Sequence, residues 1–336
     1  MSKRMSIGLI ILISMTLIGI NLSIHSPEKP SGPLPQINIA TMAHSFSGYT
    51  IFLAKEKGYF KDQGLDVRLI RTFPHGMATL NALSTGKAQI AASSETPFIN
   101  SILMGAQLYT IATTITADEH LAIIARKDSQ ILTPKNLKNK TIGVTMGSNG
   151  EYFLDMVLSL NGLSRENIQI LNLKPNQMVE KLLAKEVDAI ATWNPQKFKA
   201  MKTLGKNAVI FNAENLYSPL FIVATTQNFA KHNPEIIKKI LKALLSATQF
   251  IKNNPHESHK IVAKEIMTDA NLLNELTATY HFKLSLDQSF LTTLENQAYW
   301  ALERNHDSGK EMPNFLDFIY LDALEEINPQ NVTIIR

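Results

Sequence analysis

The chain has 336 residues, with 33 Lys plus Arg against 29 Asp plus Glu and no cysteine. Its length suits two domains of ~100–200 residues each, and 45% apolar residues are enough to build their cores. Without cysteine there is no disulfide framework, Cys-ligated zinc, cysteine nucleophile or lipidated cysteine. A net charge of only +4, with no basic block, gives no nucleic-acid footprint.

Lys3 and Arg4 precede an uncharged run, Ile7–Ile24. As a helix this run spans about 27 Å, close to the ~30 Å hydrocarbon core of a bilayer. A positive start followed by an apolar run reads as an export signal. Small residues are hard to place ahead of a cleavage point near Ser23 or Ser26. Residues 1–26 are therefore expected to be a signal peptide or an uncleaved membrane anchor. Lys3 and Arg4 would stay in the cytoplasm and everything after Ile24 would lie outside it. Residues 27–36 hold Pro27, Pro30, Pro33 and Pro35 and read as an extended linker.

From Ile37 onward, short β-like runs alternate with helical stretches. The pattern predicts strands at Ile37–Thr41, Leu65–Ile70, Gln89–Ala92, Tyr109–Thr114, Leu121–Arg126, Thr141–Val144, Ile168–Leu173, Ala189–Thr192 and Phe221–Thr225. Helices are predicted between them at Tyr49–Lys57, Met77–Ser84, Pro97–Met104, Gly150–Leu160, Gln177–Ala184 and Pro195–Leu204. Such alternation argues for βαβ units and a parallel or mixed sheet. After Thr226 the chain reads as almost wholly helical. One amphipathic helix starts at Asn233–Pro234 and stops near Asn253–Pro255.

Two stretches echo each other. INIATMAHSFSGYT and KTIGVTMGSNGEYF are both a strand, a Thr-Met pair, a small polar turn and an aromatic opening a helix. LSTGKAQIAASSETP and LAKEVDAIATWNP are both a helix end, an Ile-Ala strand, polar residues and Pro. Two copies of one unit suggest two α/β lobes facing each other across a cleft. Ligands of open α/β sheets lie beyond the C-terminal strand ends.

The turns at those ends carry the candidate chemistry. Ser148, Asn149 and Gly150 open a helix whose free N–H groups and dipole suit a small anion. His75 and Gly76 do the same at Phe73–Met77, with the imidazole as an added donor. Ser94 and Thr96 offer hydroxyls, and Glu95 offers a charge for an amine or hydroxyl on the ligand. Trp193, one of only two tryptophans, can close over a ligand, with Asn194 beside it as a donor. Tyr217 is a weaker candidate ahead of the strand that returns to the first lobe. Asp118-Glu119-His120 reads as a solvated hinge between lobes, and His256 with His259 as a solvated pair. P-loop, G-x-S-x-G, H-E-x-x-H and Rossmann glycine patterns are absent, and Ser84-x-x-Lys87 sits in a helix-end turn.

FLAKEKGYFKDQGLDV (Phe52–Val67), GMATLNALSTGKAQIAASSETP (Gly76–Pro97), LKNKTIGVTMGSNGEYF (Leu137–Phe153) and VDAIATWNP (Val187–Pro195) carry a resemblance. Over about Ile37–Lys252 the chain resembles the nitrate/sulfonate/taurine-type periplasmic solute-binding proteins of ABC transporters, a group that includes thiamine-pyrimidine-precursor binders. The resemblance implies a two-lobed α/β periplasmic-binding-protein fold of type II, with a hinge and a central interlobe cleft. Lobe 1 would be residues 37–117 plus 226–336, and lobe 2 residues 118–225. Position by position, the ligand-facing residues would be Ser45, Phe46, His75, Gly76, Ser94, Glu95, Thr96, Ser148, Asn149, Gly150, Trp193 and Asn194. No Arg stands at these turns, which sets the chain apart from strong sulfonate binders; Glu95 points toward an amine-bearing or neutral polar ligand.

Two classes of function follow. In the first, the chain is a periplasmic, monomeric binding module without cofactor or metal. It would take a small solute to an ABC permease and its ATPase subunit, with residues 7–24 as its contact to the membrane. In the second it is an enzyme on the same fold, of the thiamine-pyrimidine or menaquinone-pathway type. The iron motif of the pyrimidine synthases needs cysteines, and a cytoplasmic enzyme needs no export segment, so the binder is the expectation. An anchored ligand sensor is a third reading.

Overall fold

The structure, a computed structural model, describes residues 33–42, 45–212, 216–304 and 311–336. The expected signal or anchor and most of the proline-rich linker lie outside these residues. The chain from residue 34 onward forms one compact unit built on two sheets.

The first sheet begins with β1 (Gln36–Met42), α1 (Tyr49–Glu56), α2 (Tyr59–Asp62), β2 (Asp66–Phe73), α3 (Gly76–Ser84), β3 (Ile90–Ser94), α4 (Glu95–Leu103) and β4 (Leu108–Ala117). β1 pairs in parallel with β2 and β3, as βαβ units require. The chain then crosses to the second lobe. There it forms β5 (Leu121–Arg126), β6 (Thr141–Val144), α5 (Asn149–Leu160), β7 (Gln169–Asn172), α6 (Met178–Leu183), β8 (Ala189–Trp193), α7 (Gln196–Leu204) and β9 (Ala208–Asn212). Their sheet has the order β7-β6-β8-β5-β9. All six residues of β5 are buried. One face of this sheet packs against Phe153, Leu154 and Val157 of α5, the other against Met178, Leu182 and Ala200 of α6 and α7. A strand covered on both faces reads as a continuous apolar run, which is why β5 is so plain in the sequence.

The chain returns through β10 (Leu220–Thr226), followed by α8 (Gln227–His232), α9 (Pro234–Asn253), α10 (Pro255–Glu265), α11 (Ala270–Leu276), β11 (Tyr280–Ser285), α12 (Gln288–Arg304) and α13 (Asp322–Ile327). The first sheet is six-stranded, in the order β11-β4-β10-β3-β1-β2. α9 starts at Asn233–Pro234, and its stripe of Ile237, Ile240, Leu241, Leu244, Ala247 and Ile251 is buried.

One expectation is corrected, and two strands were not predicted. β10 pairs antiparallel with both β3 and β4, so residues 220–225 belong to the first sheet and the second lobe ends before Leu220. The C-terminal part, almost wholly helical as expected, also holds one strand that was not predicted: β11 pairs with β4 over residues 280–285. β9 went unread because it is a half-buried edge strand with one neighbour.

The two crossovers lie side by side. The Ala117 N–H donates to the Pro219 carbonyl over 3.0 Å, and the Ser218 hydroxyl donates to Asp118. Asp118 also meets His281 at 2.8 Å. The far end of α12 reaches the second lobe: Trp300 Nε1 donates to Asp155 Oδ2 over 2.7 Å, and Arg304 Nη1 to Glu151 Oε2 over 2.7 Å.

Candidate functional site

Each sheet presents one parallel strand end beside a crossover strand. In the first lobe Ser94, the last residue of β3, lies opposite Phe221 of β10. In the second, Trp193, the last residue of β8, lies opposite Leu121 of β5. These ends face each other across a small cavity of about 30 Å³.

Seven expected residues line the cavity: Ser45, His75, Gly76, Ser94, Ser148, Asn149 and Trp193. The starts of three helices meet there. His75 and Gly76 begin α3, Ser94 precedes α4, and Ser148 and Asn149 begin α5. The first N–H groups of a helix have no partner within it, and each start carries roughly half a positive charge. Gly147 has φ of 74° and carries the chain into α5; its own N–H donates to Glu151 Oε2 over 2.6 Å. Gly76 is crowded as well as small. A Cβ there would lie 2.6 Å from Ser93 Oγ and 3.0 Å from Pro97 Cγ.

The rest of the wall is soft and apolar: Met42, Met77, Met146, Pro97 and Phe221, with Thr145 and His120 as further polar groups. Among the described lining residues there is no Asp, Glu, Lys or Arg. An adjoining cavity of about 150 Å³ shares Met42, Ser45 and Trp193 and is walled by Phe73, Pro74, Pro175 and Pro195.

Both histidines are held neutral. Burial first, then the Lys174 charge, lowers the His75 pKa. Its Nδ1 accepts from the Ala78 N–H over 3.3 Å, so a neutral ring carries its proton on Nε2. His120 is pushed down to about 3, by burial and then by Lys197. Its Nδ1 is hydrogen-bonded to the Tyr280 hydroxyl, and its ring packs edge-on to Phe221 at 5.3 Å. The sequence reading of His120 as solvated is thus corrected, and so is that of His259. His259 is buried, with Nδ1 2.7 Å from the Tyr49 hydroxyl.

The other expected residues sit behind the wall. Phe46 is buried against Tyr280 at 5.6 Å and His120 at 6.3 Å. Gly150 lies under Trp193, where a Cβ would meet the indole at 3.3 Å. The Asn194 N–H donates to the His120 carbonyl over 3.1 Å. Glu95, Thr96 and Tyr217 belong to one buried cluster. Glu95 is fully buried. Its Oε1 accepts from Tyr217, from Asn149 Nδ2 at 3.0 Å and from Gln297 Nε2 at 3.1 Å, and its Oε2 from the Leu220 N–H at 3.1 Å. The carboxylate lies behind the cavity lining and is bonded within the protein, where the sequence reading set it against an amine or hydroxyl of the ligand. Burial pushes its pKa up; the bonds from Tyr217, Gln297 and Asn149 pull against that.

Asn149 and Gln297 mirror each other around Glu95. Each points its NH₂ at the carboxylate and accepts from a flanking hydroxyl: Ser94 Oγ to Asn149 Oδ1, and Thr96 Oγ1 to Gln297 Oε1, both over 2.5 Å. The Tyr217 hydroxyl accepts from Gln297 Nε2 at 3.1 Å while donating to Glu95. Gln297 is the member that sequence reading had no means of finding. It lies 202 residues from Glu95, within an ordinary helical pattern.

Two α/β lobes joined by paired crossovers around a cavity at their strand ends define the fold of a periplasmic solute-binding protein. The chain belongs to the NMT1/THI5-like family, whose model matches residues 46–258. It is 27% identical over 250 residues to a protein of Brucella abortus (strain 2308) whose name says only that it binds, covering 70% of this chain and 76% of that one. It is 25% identical over 222 residues to the taurine-binding periplasmic protein of Escherichia coli (strain K12), covering 64% and 67%. Among solved structures, the alkanesulfonate-binding protein SsuA of Xanthomonas axonopodis pv. citri bound to MOPS superposes with a TM-score of 0.73. That match has 20% identity and covers 87% of this chain and 100% of the other.

Proposed function

We propose that this chain is the extracytoplasmic solute-binding component of an ABC importer. It captures a small polar or anionic solute, of the sulfonate, taurine, nitrate or pyrimidine-like kind, and hands it to a permease driven by an ATPase subunit. The observation that carries this reading is the meeting of three helix starts from two lobes on one cavity whose described lining holds no Asp, Glu, Lys or Arg. Helix N–H groups and His75 Nε2–H hold the acceptor atoms of the solute. Ser45, Gly76, Ser148 and Trp193 shape the chamber around it. No bond is made or broken, and the protein works as a monomer in the periplasm. Residues 7–24 serve as export signal or as tether to the inner membrane.

A thermal-shift screen against sulfonates, nitrate, amino acids, polyamines and pyrimidines tests this. A solute at a hundred times its dissociation constant adds about 2.7 kcal/mol, a rise of roughly 4 °C for a chain of this size. The expected result is a solute that raises Tm and is recovered unchanged. A solute recovered as a different compound would instead establish an enzyme.

A further inference from the structure

The described lining of the cavity holds no Asp, Glu, Lys or Arg, yet a carboxylate is buried one residue behind Ser94. All four groups that meet Glu95 are donors: a phenol, two amides and a backbone N–H. Three of them converge on Oε1 and one on Oε2, an arrangement of donors that favours the anion. The anion in turn sets the Asn149 amide. With Nδ2 committed to Glu95 at 3.0 Å, its Oδ1 faces Ser94, whose hydroxyl proton it accepts at 2.5 Å. A reversed amide would place Oδ1 against the carboxylate and remove one of the two amide donors to the phenol, which itself donates to Glu95. Ser94 has one proton, and that proton is spent. What Ser94 Oγ offers the cavity is lone pairs.

The geometry points to Glu95 as a specificity-determining residue that acts through Asn149: it makes Ser94 an acceptor and so selects solutes carrying an N–H or O–H donor beside their acceptor group. This deepens the solute-binding reading above and rests on it. The cavity then has two polarities. The starts of α3 and α5, with His75 Nε2–H, take acceptor atoms of the solute. Ser94 Oγ, backed by the carboxylate, takes a donor. Glu95 touches no solute and is a positioning residue.

The test uses pairs of solutes that differ by one donor: taurine against ethanesulfonate, β-alanine against propionate, and 4-aminopyrimidine against 4-methylpyrimidine. Each is titrated calorimetrically into the full chain and into Ser94→Ala and Glu95→Gln variants. For the pair that binds, the donor-bearing member is expected to win by about tenfold or more in the natural protein. Ser94→Ala should bring that ratio close to one by weakening the donor-bearing member alone. Glu95→Gln should shrink the ratio too, because the neutral amide no longer commits Asn149. A merely structural role would weaken both members equally and leave the ratio unchanged, and that result overturns the proposal while leaving solute binding intact. So does a preference for the member without the donor. Any solute that co-purifies is released by denaturation and identified by mass spectrometry; one without an N–H or O–H donor also overturns it. If no pair binds and nothing is released, the solute-binding reading fails, and this inference falls with it.

Discussion

Asn149, at the start of α5 in the second lobe, accepts a hydrogen bond over 2.5 Å from Ser94 at the end of β3 in the first. Both side chains are buried and both line the cavity. One amide is thus part of the cavity wall and part of the seam between the two lobes. Replacing Asn149 with Ala removes the tie to Ser94 and one donor to Glu95, and leaving a buried acceptor short of a partner costs about 1–3 kcal/mol. Asn149→Ala is expected to bind solute roughly ten- to a hundredfold more weakly and to show a larger radius of gyration by X-ray scattering. Unchanged values of both would mean that closure does not depend on this pair.

Trp193 gives a cleaner test of the chamber itself. It is only half-buried, and it borders both the inner and the adjoining cavity. Trp193→Ala should weaken solute binding by at least about tenfold while the far-UV circular dichroism spectrum stays as it was. A titration that returns the natural affinity would remove the indole from the site.

Acid should destabilise the protein through its buried histidines. His120 sits near pKa 3 in the folded chain against an ordinary value of 6.5. Folded and unfolded chains differ in protons bound only below 6.5, so this stability is full above that pH and is lost as the pH falls toward 3. Each pH unit in the window is worth about 1.4 kcal/mol. His75 and His259 are shifted the same way, and Glu95, shifted upward, works in the opposite sense. Urea unfolding at pH 7.5, 6.5, 5.5 and 4.5 should show this loss, and His120→Phe should flatten it by about 2 kcal/mol over the lower two units. Parallel curves for the two proteins would sink the assignment.

Gly76 tests the packing behind the first helix start. A methyl there meets Ser93 Oγ and the Pro97 ring, and overpacking of this kind costs about 1–3 kcal/mol. Gly76→Ala should lower the urea midpoint accordingly and also weaken solute binding, since His75 and the α3 N–H groups move with it. Gly86→Ala makes a useful contrast: Gly86 has nothing within 4 Å of its Cβ position but carries a φ of 69°. Its cost would be purely conformational, and solute affinity should not change.

Much of this architecture can be read from the chain because strands covered on both faces announce themselves. β5 and β6 match their predicted limits residue for residue, since both are apolar runs bounded by polar turns. β9 and β11 are edge strands with one partner each; their half-burial leaves a weaker pattern, and β11 is embedded among helices. The cavity residues at Ser94, Ser148 and Trp193 were legible because the repeat marks where strands end. His120 was not: Asp118 and Glu119 make its neighbourhood look solvated, and its burial comes from Phe46, Phe221 and Tyr280, residues remote in sequence. Glu95 was singled out for its charge, but its true partners arrive from Asn149, Tyr217 and Gln297, and no local pattern points to them.

The placement of β10 between β3 and β4 bears on how the chain comes to be folded. Ile90 pairs with Thr225, so β3 has no neighbour on that side until the whole second lobe has been synthesised. The second lobe is one uninterrupted stretch and can complete its sheet from its own residues. The first lobe must keep its N-terminal half waiting for a closing strand, and non-local pairing of this kind is slow and leaves strand edges open to association. The order of assembly is therefore the reverse of the order in the sequence: the inserted lobe finishes first, and the lobe that begins the chain finishes last.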